Sequence, residues 1–221
     1  MAENKEPKIL IAIPCMDIVA AQFAQALATL EKAGHCIISM EIGSLIYNSR
    51  NNLCKTALGL NCDYILWLDS DMVFPPETLK RLLEVMEKTG ADIVSGLYFR
   101  RVAPYTPVAF SKLEIDGKLC TWEHYNGPID QGPQEVPGIG FGCVLHRTDM
   151  LLEMAAQFGD FFGPLASVGE DLSFCWRARQ LGYKIVLDTN LKLGHVGHAV
   201  ITEDFYKCYA DVDKDGGNKN G

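Results

Sequence analysis

A short apolar run that stops at two carboxylates is the feature that most constrains this chain. Residues 64–68, Tyr-Ile-Leu-Trp-Leu, are followed by Asp69 and, after one serine, by Asp71. The run is too short for an amphipathic helix and is rich in strand-forming residues, so it predicts a strand buried on both faces of a parallel sheet. Ligands of open α/β sheets bind beyond the carboxyl ends of such strands. We therefore expect either a divalent metal with a phosphate-bearing substrate between these aspartates, or carboxylates that merely cap the next segment.

The first 95 residues alternate strand-like and helix-like patterns. Strands are predicted at residues 8–13, 36–42, 63–68 and 91–95. Repeated strand–helix alternation favours a mainly parallel sheet covered by helices on both faces, which is the α/β class. The intervening helices are predicted over residues 17–33 with Asp17 as the cap, from Asn48 or Ser49 to Leu60, and from a start at Pro75-Pro76-Glu77.

The pattern becomes turn-rich after Gly96 and then regular again. Strands are predicted at residues 139–146 and 184–187, and helices at 148–158 and from Gly169 onward. The polar residues 211–221 predict a disordered tail.

Composition argues against several classes of protein. The net charge of −8 argues against nonspecific binding to nucleic acid or to anionic membranes. The chain lacks an apolar run approaching the ~18 residues of a membrane span, and its first residues lack the apolar core of a signal peptide. Its eight cysteines show no paired short spacing, which favours reduced, buried thiols. These features predict a cytoplasmic protein.

Two further motifs carry groups that could act in catalysis or metal binding. Glu170 and Asp171 open a predicted helix, where they either complement the helix dipole or supply a general base aimed into a cleft. His195 and His198 follow the last predicted strand, in a Gly-His-Val-Gly-His sequence. Either histidine could complete a carboxylate–imidazole site, which suits manganese better than calcium; a loop position without function is the alternative.

An arginine and a glycine-rich segment stand beside these motifs. Arg50 lies at the predicted start of the second helix, where it could bind an anionic phosphate or a ribose, or could simply be solvated. Gly138, Gly140 and Gly142 precede a strand and not a helix, so they do not form a dinucleotide fingerprint. They would instead let the backbone approach a substrate closely.

The order of these motifs along residues 8–200 resembles the metal-dependent glycosyltransferases of the A-type (GT-A) fold, in particular the family-two-like group that includes small bacterial and phage members. The resemblance implies a Rossmann-like nucleotide-diphospho-sugar transferase fold with a mixed, mainly parallel sheet flanked by helices. It also implies one domain over residues 1–210, with a nucleotide-binding half at 8–95 and an acceptor and catalytic half at 96–200.

The same resemblance implies roles for individual residues. Asp71 and His195 would hold Mn²⁺ or Mg²⁺, with Asp69 contacting the metal or its water and His198 as the alternative histidine. Asp171 would take the proton of the acceptor hydroxyl and Glu170 would orient it. The residues implied to bind the donor are Pro14, Cys15, Glu41, Arg50, Asp69, Ser70 and Gly140.

The function implied by the resemblance is metal-dependent transfer of a sugar, a hexose in the simplest case, from a UDP- or GDP-sugar to an acceptor hydroxyl, with inversion. The acceptor could be a glycan, a lipid-linked or small molecule, a protein or, in a phage, a hydroxymethylated DNA base. For DNA, scattered basic residues such as Arg100, Arg101, Arg147 and Arg177 would have to converge. Two alternatives stay open: a nucleotidyltransferase, although residues 14–17 lack the expected Gly-rich basic loop, and a catalytically silent nucleotide-sugar-binding protein.

Overall fold

A computed structural model describes residues 6–197 and residue 203. The helices of this part of the chain are α1 (Ala21–Thr29), α2 (Ile46–Gly59), α3 (Thr78–Thr89), α4 (Asp149–Phe158) and α5 (Glu170–Gln180). Its strands are β1 (Lys8–Cys15), β2 (His35–Ile42), β3 (Tyr64–Leu68), β4 (Met72–Val73), β5 (Ile93–Leu97), β6 (Ala109–Asp116), β7 (Leu119–His124), β8 (Pro133–Glu135), β9 (Gly138–Ile139), β10 (Cys143–Arg147), β11 (Ile185–Lys192) and β12 (Gly194–His195).

A seven-stranded sheet in the order β2-β1-β3-β10-β5-β11-β8 forms the centre of the fold. Strands β2, β1, β3, β5 and β11 run in one direction, whereas β10 and β8 run against their neighbours. The predicted α/β architecture with a mainly parallel sheet is confirmed. Strand β10 enters the middle of the sheet between β3 and β5, so the sheet is mixed at its centre as well as at its edge.

Helices cover both faces of this sheet, and β3 contributes to both cores. Trp67 packs into the cluster that includes Leu53 of α2, Met150 of α4 and Phe174 of α5. Its neighbour Leu66 packs with residues of α1 and α3 on the opposite face. Because successive strand residues point to opposite faces, a continuous apolar run is what a strand covered on both sides requires.

A two-stranded ladder links the far end of the described chain to the aspartate motif. Strand β12 pairs antiparallel with β4, so that His195 lies opposite Met72. The backbone N–H of Val196 donates to the carbonyl oxygen of Asp71 over 2.8 Å. This pairing carries His195 to the loop that follows β3.

The first two helices begin and end differently from the sequence prediction. Helix α1 begins at Ala21 and not at Asp17, and it ends at Thr29, before Gly34. The residue before it, Ala20, is extended (φ −64°, ψ 140°), and its N–H donates to the carbonyl oxygen of Ser70 over 2.9 Å. Helix α2 begins at Ile46, before Asn48 and Ser49, so Arg50 lies in its second turn.

The single strand predicted at residues 139–146 is two strands that belong to different sheets. Strand β9 pairs with β6, whereas β10 lies in the central sheet. The chain turns between them at Gly140–Gly142, where the Gly142 N–H donates to the Tyr98 hydroxyl over 3.0 Å. A Cβ atom at Gly142 would lie 3.0 Å from the ring and hydroxyl of Tyr98 and 2.9 Å from Met72 Sδ. Glycine is therefore needed here for close packing.

Three further predictions concern the cysteines, membrane-spanning segments and the residues near the C-terminus. The seven cysteines of the described residues are free thiols, as predicted. Among the described residues, no helix is long and apolar enough to cross a membrane. His198 and the tail 211–221, for which a metal-binding alternative and disorder were predicted, lie outside the described residues.

Candidate active site

A cavity of about 340 Å³ opens beyond the carboxyl ends of β1, β2 and β3. Pro14 and Cys15 come from the end of β1, and Asp69, Ser70 and Asp71 follow β3. The predicted donor residues Pro14, Cys15, Asp69 and Ser70 are thus brought to one place. The lining as a whole consists of Pro14, Cys15, Met16, Gly43, Ser44, Ile46, Asp69, Ser70, Asp71 and Arg101.

Three side chains, which we call the outer cluster, meet at one carboxylate oxygen. Arg101 Nη1 lies 2.6 Å from Asp71 Oδ2, and His195 Nε2 lies 3.6 Å from the same oxygen. The outer cluster is Asp71, Arg101 and His195. The Arg101 side chain keeps 49% of its surface exposed, against 26% for Asp71 and 19% for His195. Asp71 is therefore reached from the protein side by the imidazole and from the solvent side by the guanidinium.

The orientation of the His195 ring suits a metal ligand. Its Nδ1 lies 2.9 Å from the carbonyl oxygen of Phe99. A carbonyl can only accept, so Nδ1 carries a proton, and Nε2 is the ring nitrogen beside Asp71 that would bind a metal once it has lost its own proton. Two ligand atoms that each lie roughly 2.1 Å from one divalent ion are at most about 4 Å apart, and the Asp71 Oδ2–His195 Nε2 separation of 3.6 Å meets this limit.

The described residues supply only part of a metal's coordination shell. Within residues 6–197 and 203, no group of three or more His, Cys, Asp and Glu side chains is placed to hold a metal. Asp71 and His195 would therefore share the ion with ligand oxygens from a substrate or water, as an open site requires. Asp69, also predicted to contact the metal, is instead engaged by Arg50.

In the outer cluster, charges and hydrogen bonds together shift the pKa values of Asp71 and His195 more than burial does. Burial alone would raise the pKa of Asp71, but the hydrogen bond and charge of His195 and the charge of Arg101 hold it below its usual value. Burial alone would lower the pKa of His195, but its bonds to Asp71 and to the Phe99 carbonyl raise it. Asp71 is consequently an ionised, strongly cation-seeking group.

A second group of charges, which we call the inner cluster, is organised by a buried arginine. Arg50 Nη2 donates to both Asp69 oxygens, at 2.9 and 3.3 Å, and Arg50 Nε lies 3.5 Å from Glu170 Oε1. The inner cluster is Arg50, Asp69, Glu170 and Asp171. The Arg50 side chain is only 3% exposed, and its guanidinium carbon lies 5.4 to 5.6 Å from the ring centroids of Trp67, Phe141 and Phe162.

This burial corrects the predicted role of Arg50. The side chain lies in an aromatic enclosure beneath Asp69 and not in the cavity. Helix α2 begins two or three residues earlier than predicted, and residue 50 lies on its buried face. Arg50 therefore positions Asp69 and Glu170, and direct contact with ribose or phosphate would need its two carboxylate bonds to break. Burial nevertheless raises the pKa of Asp69 above its usual value, because the Arg50 charge offsets desolvation only in part.

Asp171 differs from its neighbours in having a pKa near neutrality. Burial, followed by the charge of Glu170, raises its pKa to about 6. Asp171 Oδ1 accepts the backbone N–H of Leu172 over 2.8 Å, in the first turn of α5. Its other oxygen, Oδ2, lies 3.5 Å from the position of a Cβ atom at Gly140. The same Cβ atom would lie 2.5 Å from Val108 Cγ1 and closer still to the Tyr98 hydroxyl oxygen, so glycine is needed here for close packing beside a carboxylate whose pKa suits proton transfer near pH 7.

Besides Arg50, two predicted donor residues, Glu41 and Gly140, do not line this cavity. The Oε1 atom of Glu41 instead accepts a hydrogen bond from Asn52 Nδ2 of α2 over 2.8 Å. Strand alternation explains this, because residue 41 faces α2 while the chain turns at Gly43 and Ser44 to reach the cavity. Gly43 and Ser44, and not Glu41, therefore line the cavity at this end of β2.

Two residues of the site were missed from the sequence. The sequence indicates Arg101 only as part of a basic strip, yet this residue contacts Asp71. Tyr98, which is 4% exposed, packs its ring against His195 at a centroid distance of 5.5 Å. Both lie just beyond β5, the next parallel strand, so the rule that sites form at the carboxyl ends of strands could have indicated them.

The proposed basic strip does not form one surface. Arg147 lies 3.9 Å from Asp92 and over the ring of Tyr64, at the start of β3 and therefore at the opposite end of the sheet from Arg101. Arg177 is buried and donates to the carbonyl oxygen of Phe161. These residues give no common cationic path for duplex DNA.

Solved structures share the fold of this protein. It is similar to "A197 from STIV" (16% identity, TM-score 0.54, 89% of this chain and 97% of that one). It is also similar to GalNAc-T7 with UDP, GalNAc and Mn²⁺ (12% identity, TM-score 0.60, 96% of this chain but 49% of that one). A third is S. aureus TarS 1–349 in complex with UDP-GlcNAc (14%, TM-score 0.52, 90% and 64%). The fold is that of GT-A glycosyltransferases.

The family follows from the sequence itself. The family model described as glycosyl transferase family 2 matches residues 19–147, more than half of the chain. The chain therefore belongs to this family and is a glycosyltransferase, which sets aside the nucleotidyltransferase alternative. No curated protein sequence matches it significantly. At these identities the solved structures show the fold alone, and the chain spans about half of the GalNAc-T7 structure.

Proposed function

We propose that this protein transfers a sugar, with inversion, from a UDP- or GDP-sugar to an acceptor hydroxyl in a metal-dependent reaction. The observation that carries the proposal is a pair of atoms that could bind a metal, Asp71 Oδ2 and His195 Nε2, which lie 3.6 Å apart. Asp71 lines the cavity at the carboxyl edge of the sheet. The Mn²⁺ and UDP in the similar GalNAc-T7 structure support the choice of ligands.

Asp71 and His195 would hold the ion, Mn²⁺ or Mg²⁺, and His195 is kept in the right tautomer by the Phe99 carbonyl. When bound, a divalent ion supplies positive charge that stabilises the departing nucleoside diphosphate. Asp69 faces the nucleotide side of the cavity, and its orientation is fixed by Arg50. The donor would thus meet an edge of the sheet at which Asp69 is fixed by the buried Arg50 and Asp71 is bonded to the half-exposed Arg101.

Asp171 acts as the base in this proposal. Its carboxylate belongs to a half-buried residue at the start of α5, and its pKa of about 6 leaves it mostly ionised at neutral pH. Glu170 is engaged by Arg50 and raises the pKa of Asp171 through its charge, which is how it assists the base. Proton removal by one positioned carboxylate as the new bond forms is consistent with direct, inverting displacement.

The acceptor is proposed by class only. The dispersal of Arg101, Arg147 and Arg177 over different parts of the molecule supports a glycan or small-molecule hydroxyl over a base in duplex DNA. Anomeric configuration of the isolated product, determined by NMR, would test inversion directly.

The decisive experiment is a panel of UDP- and GDP-sugars incubated with the protein and Mn²⁺, read by release of nucleoside diphosphate. We expect release with at least one donor, its loss on chelation with EDTA, and its loss in Asp71→Ala. Normal turnover by Asp71→Ala would contradict the metal site. Thermal stabilisation by donor and Mn²⁺ without turnover across many acceptors would favour the catalytically silent binding protein.

A further inference from the structure

Arg101 is the one member of the outer cluster without a role in the proposed reaction. It lies in the excursion between Tyr98 and Val108, which is closed by paired backbone hydrogen bonds: Val108 N–H to Tyr98 O and Arg100 N–H to Thr106 O, each 3.0 Å. The carbonyl oxygen of Phe99, at the start of this excursion, anchors His195. The excursion therefore anchors His195 through the Phe99 carbonyl and carries Arg101, whose guanidinium is bonded to Asp71.

Arg101 and a metal would compete for the same place. Its Nη1 lies 2.6 Å from Asp71 Oδ2, the oxygen that also faces His195 Nε2. A divalent ion bound to that oxygen and to Nε2 would bring two centres of positive charge within a few ångströms. Since like charges at such range repel strongly, the guanidinium must leave when the ion binds.

The surroundings of Arg101 permit this movement. Half of its side chain is exposed, and its aliphatic stem passes Gly197, where a Cβ atom would lie 3.3 Å from Arg101 Cβ. Arg101 also borders the cavity on each side of Asp71, the one of about 340 Å³ at the ends of β1 and β2 and a second of about 440 Å³ beside the start of α1. The side chain can therefore swing without leaving the site.

The charges that line the two cavities leave Arg101 as the protein group that can pair with a diphosphate. Among the described residues that line the two cavities, the charged side chains are Asp69, Asp71 and Arg101, and only the last is positive. A nucleoside diphosphate placed against two aspartates needs protein cations in addition to a metal. A guanidinium offers forked donors that match phosphate oxygens.

We infer that Arg101 is a further donor-binding residue: it holds the cation position beside Asp71 in the donor-free protein, gives way to the metal, and then pairs with the diphosphate of the nucleotide. This inference rests on the proposed function, since it takes the metal and the nucleotide sugar as the ligands. It assigns one residue two successive partners, the Asp71 carboxylate and the phosphate oxygens.

Two binding measurements on the whole protein test it. In Arg101→Ala, Mn²⁺ alone should bind several-fold more tightly than to wild type in a calorimetric titration, because no guanidinium competes. In the presence of saturating Mn²⁺, the same variant should bind UDP or GDP about 10-fold more weakly or worse, the loss expected for a charge-assisted hydrogen bond. Structural damage to the site would weaken the binding of both Mn²⁺ and the nucleotide. Tighter Mn²⁺ binding together with weaker nucleotide binding therefore identifies the transfer of Arg101 from Asp71 to the diphosphate.

Arg100→Ala is the matched control, because it removes the adjacent arginine while keeping the backbone bond of residue 100 to Thr106. It should bind Mn²⁺ and the nucleotide like wild type. Equal behaviour of Arg101→Ala and Arg100→Ala would overturn the inference, as would weaker Mn²⁺ binding in Arg101→Ala. If wild type itself bound neither UDP nor GDP in the presence of Mn²⁺, the proposed function would fail first, and the two failures are thereby distinguished.

Discussion

The inner and outer clusters each contain an arginine bonded to an aspartate, but one arginine is buried and the other is half-exposed. Arg50 of the inner cluster is 3% exposed, enclosed by three aromatic rings and bonded to Asp69 and Glu170. Arg101 of the outer cluster is half-exposed and bonded to Asp71 alone among the described ion pairs. The two aspartates are separated by one residue, so the difference arises from burial and not from the motif. A buried cation is a fixed part of the protein, whereas an exposed one can be exchanged.

The largest effect should come from removing the base on the inner side. Asp171→Asn should lower the rate of sugar transfer by about 10² to 10⁴, because the acceptor hydroxyl loses its proton acceptor. Donor binding should be unchanged, since the outer cluster is untouched. Rates at saturating donor and calorimetric donor affinity measure the two quantities. Transfer at the wild-type rate would mean that another group is the base.

The next largest effect tests the contrast between the two arginines through protein stability. Arg50→Ala should lower the free energy of unfolding by about 3 kcal/mol, because Asp69 and Glu170 would stay largely buried without their cation. Arg101→Ala should change it by less than about 1 kcal/mol, the range of an exposed ion pair. Urea denaturation of both variants beside wild type measures the difference. Equal destabilisation would show that burial does not distinguish the two arginines.

The pH dependence of the rate sharpens the role of Asp171. With its pKa raised to about 6 by burial and by Glu170, the fraction of active carboxylate falls as pH drops through that value. Transfer at saturating substrates should therefore fall about tenfold from its plateau by one pH unit below this pKa. The groups that face Asp171 and set this limb are Glu170, Asp69 and Arg50. The residual activity of Asp171→Asn should lack the limb; its persistence would assign it to another group.

The smallest effect is a gain in stability. A carboxyl whose pKa is higher in the folded than in the unfolded protein destabilises the fold above the folded value, and this effect vanishes below the unfolded value. Asp171→Asn should therefore raise the free energy of unfolding at pH 7 by about 1 to 2 kcal/mol. The difference should shrink as the pH approaches 4. Urea denaturation at both pH values measures it, with Asp149→Asn, at the exposed start of α4, as the control.

Much of the fold could be predicted because its signals are local. The apolar run of β3 and the stripe Leu79, Leu82 and Met86 of α3 carry the strand and helix periods directly; β3 begins one residue later than predicted, and α3 begins directly after the predicted start at Pro75-Pro76-Glu77. Where the prediction was wrong, a contact from elsewhere decided. Residue 20 is extended and bonded to the Ser70 carbonyl where a helix was expected, and Tyr98 packs at the glycines that divide β9 from β10.

The candidate site divides in the same way. The sequence indicated Asp71, His195 and Asp171 by motif order, although their roles remain predictions. It could not place Arg50 or Glu41, because the direction of each side chain depends on where α2 begins and on which face of β2 is covered. Arg101 carries no motif at all, and only the closed excursion after β5 brings it to Asp71.

By itself, the sequence determined that a buried strand ends in two carboxylates within an alternating α/β chain of glycosyl transferase family 2. Only the tertiary structure decided which aspartate is held and which is open. The β4–β12 ladder delivers His195 to Asp71, and the aromatic enclosure built by Trp67, Phe141 and Phe162 buries the cation beside Asp69. The physical reason is that pattern reports local periodicity, whereas burial and charge pairing depend on residues that are distant in the chain.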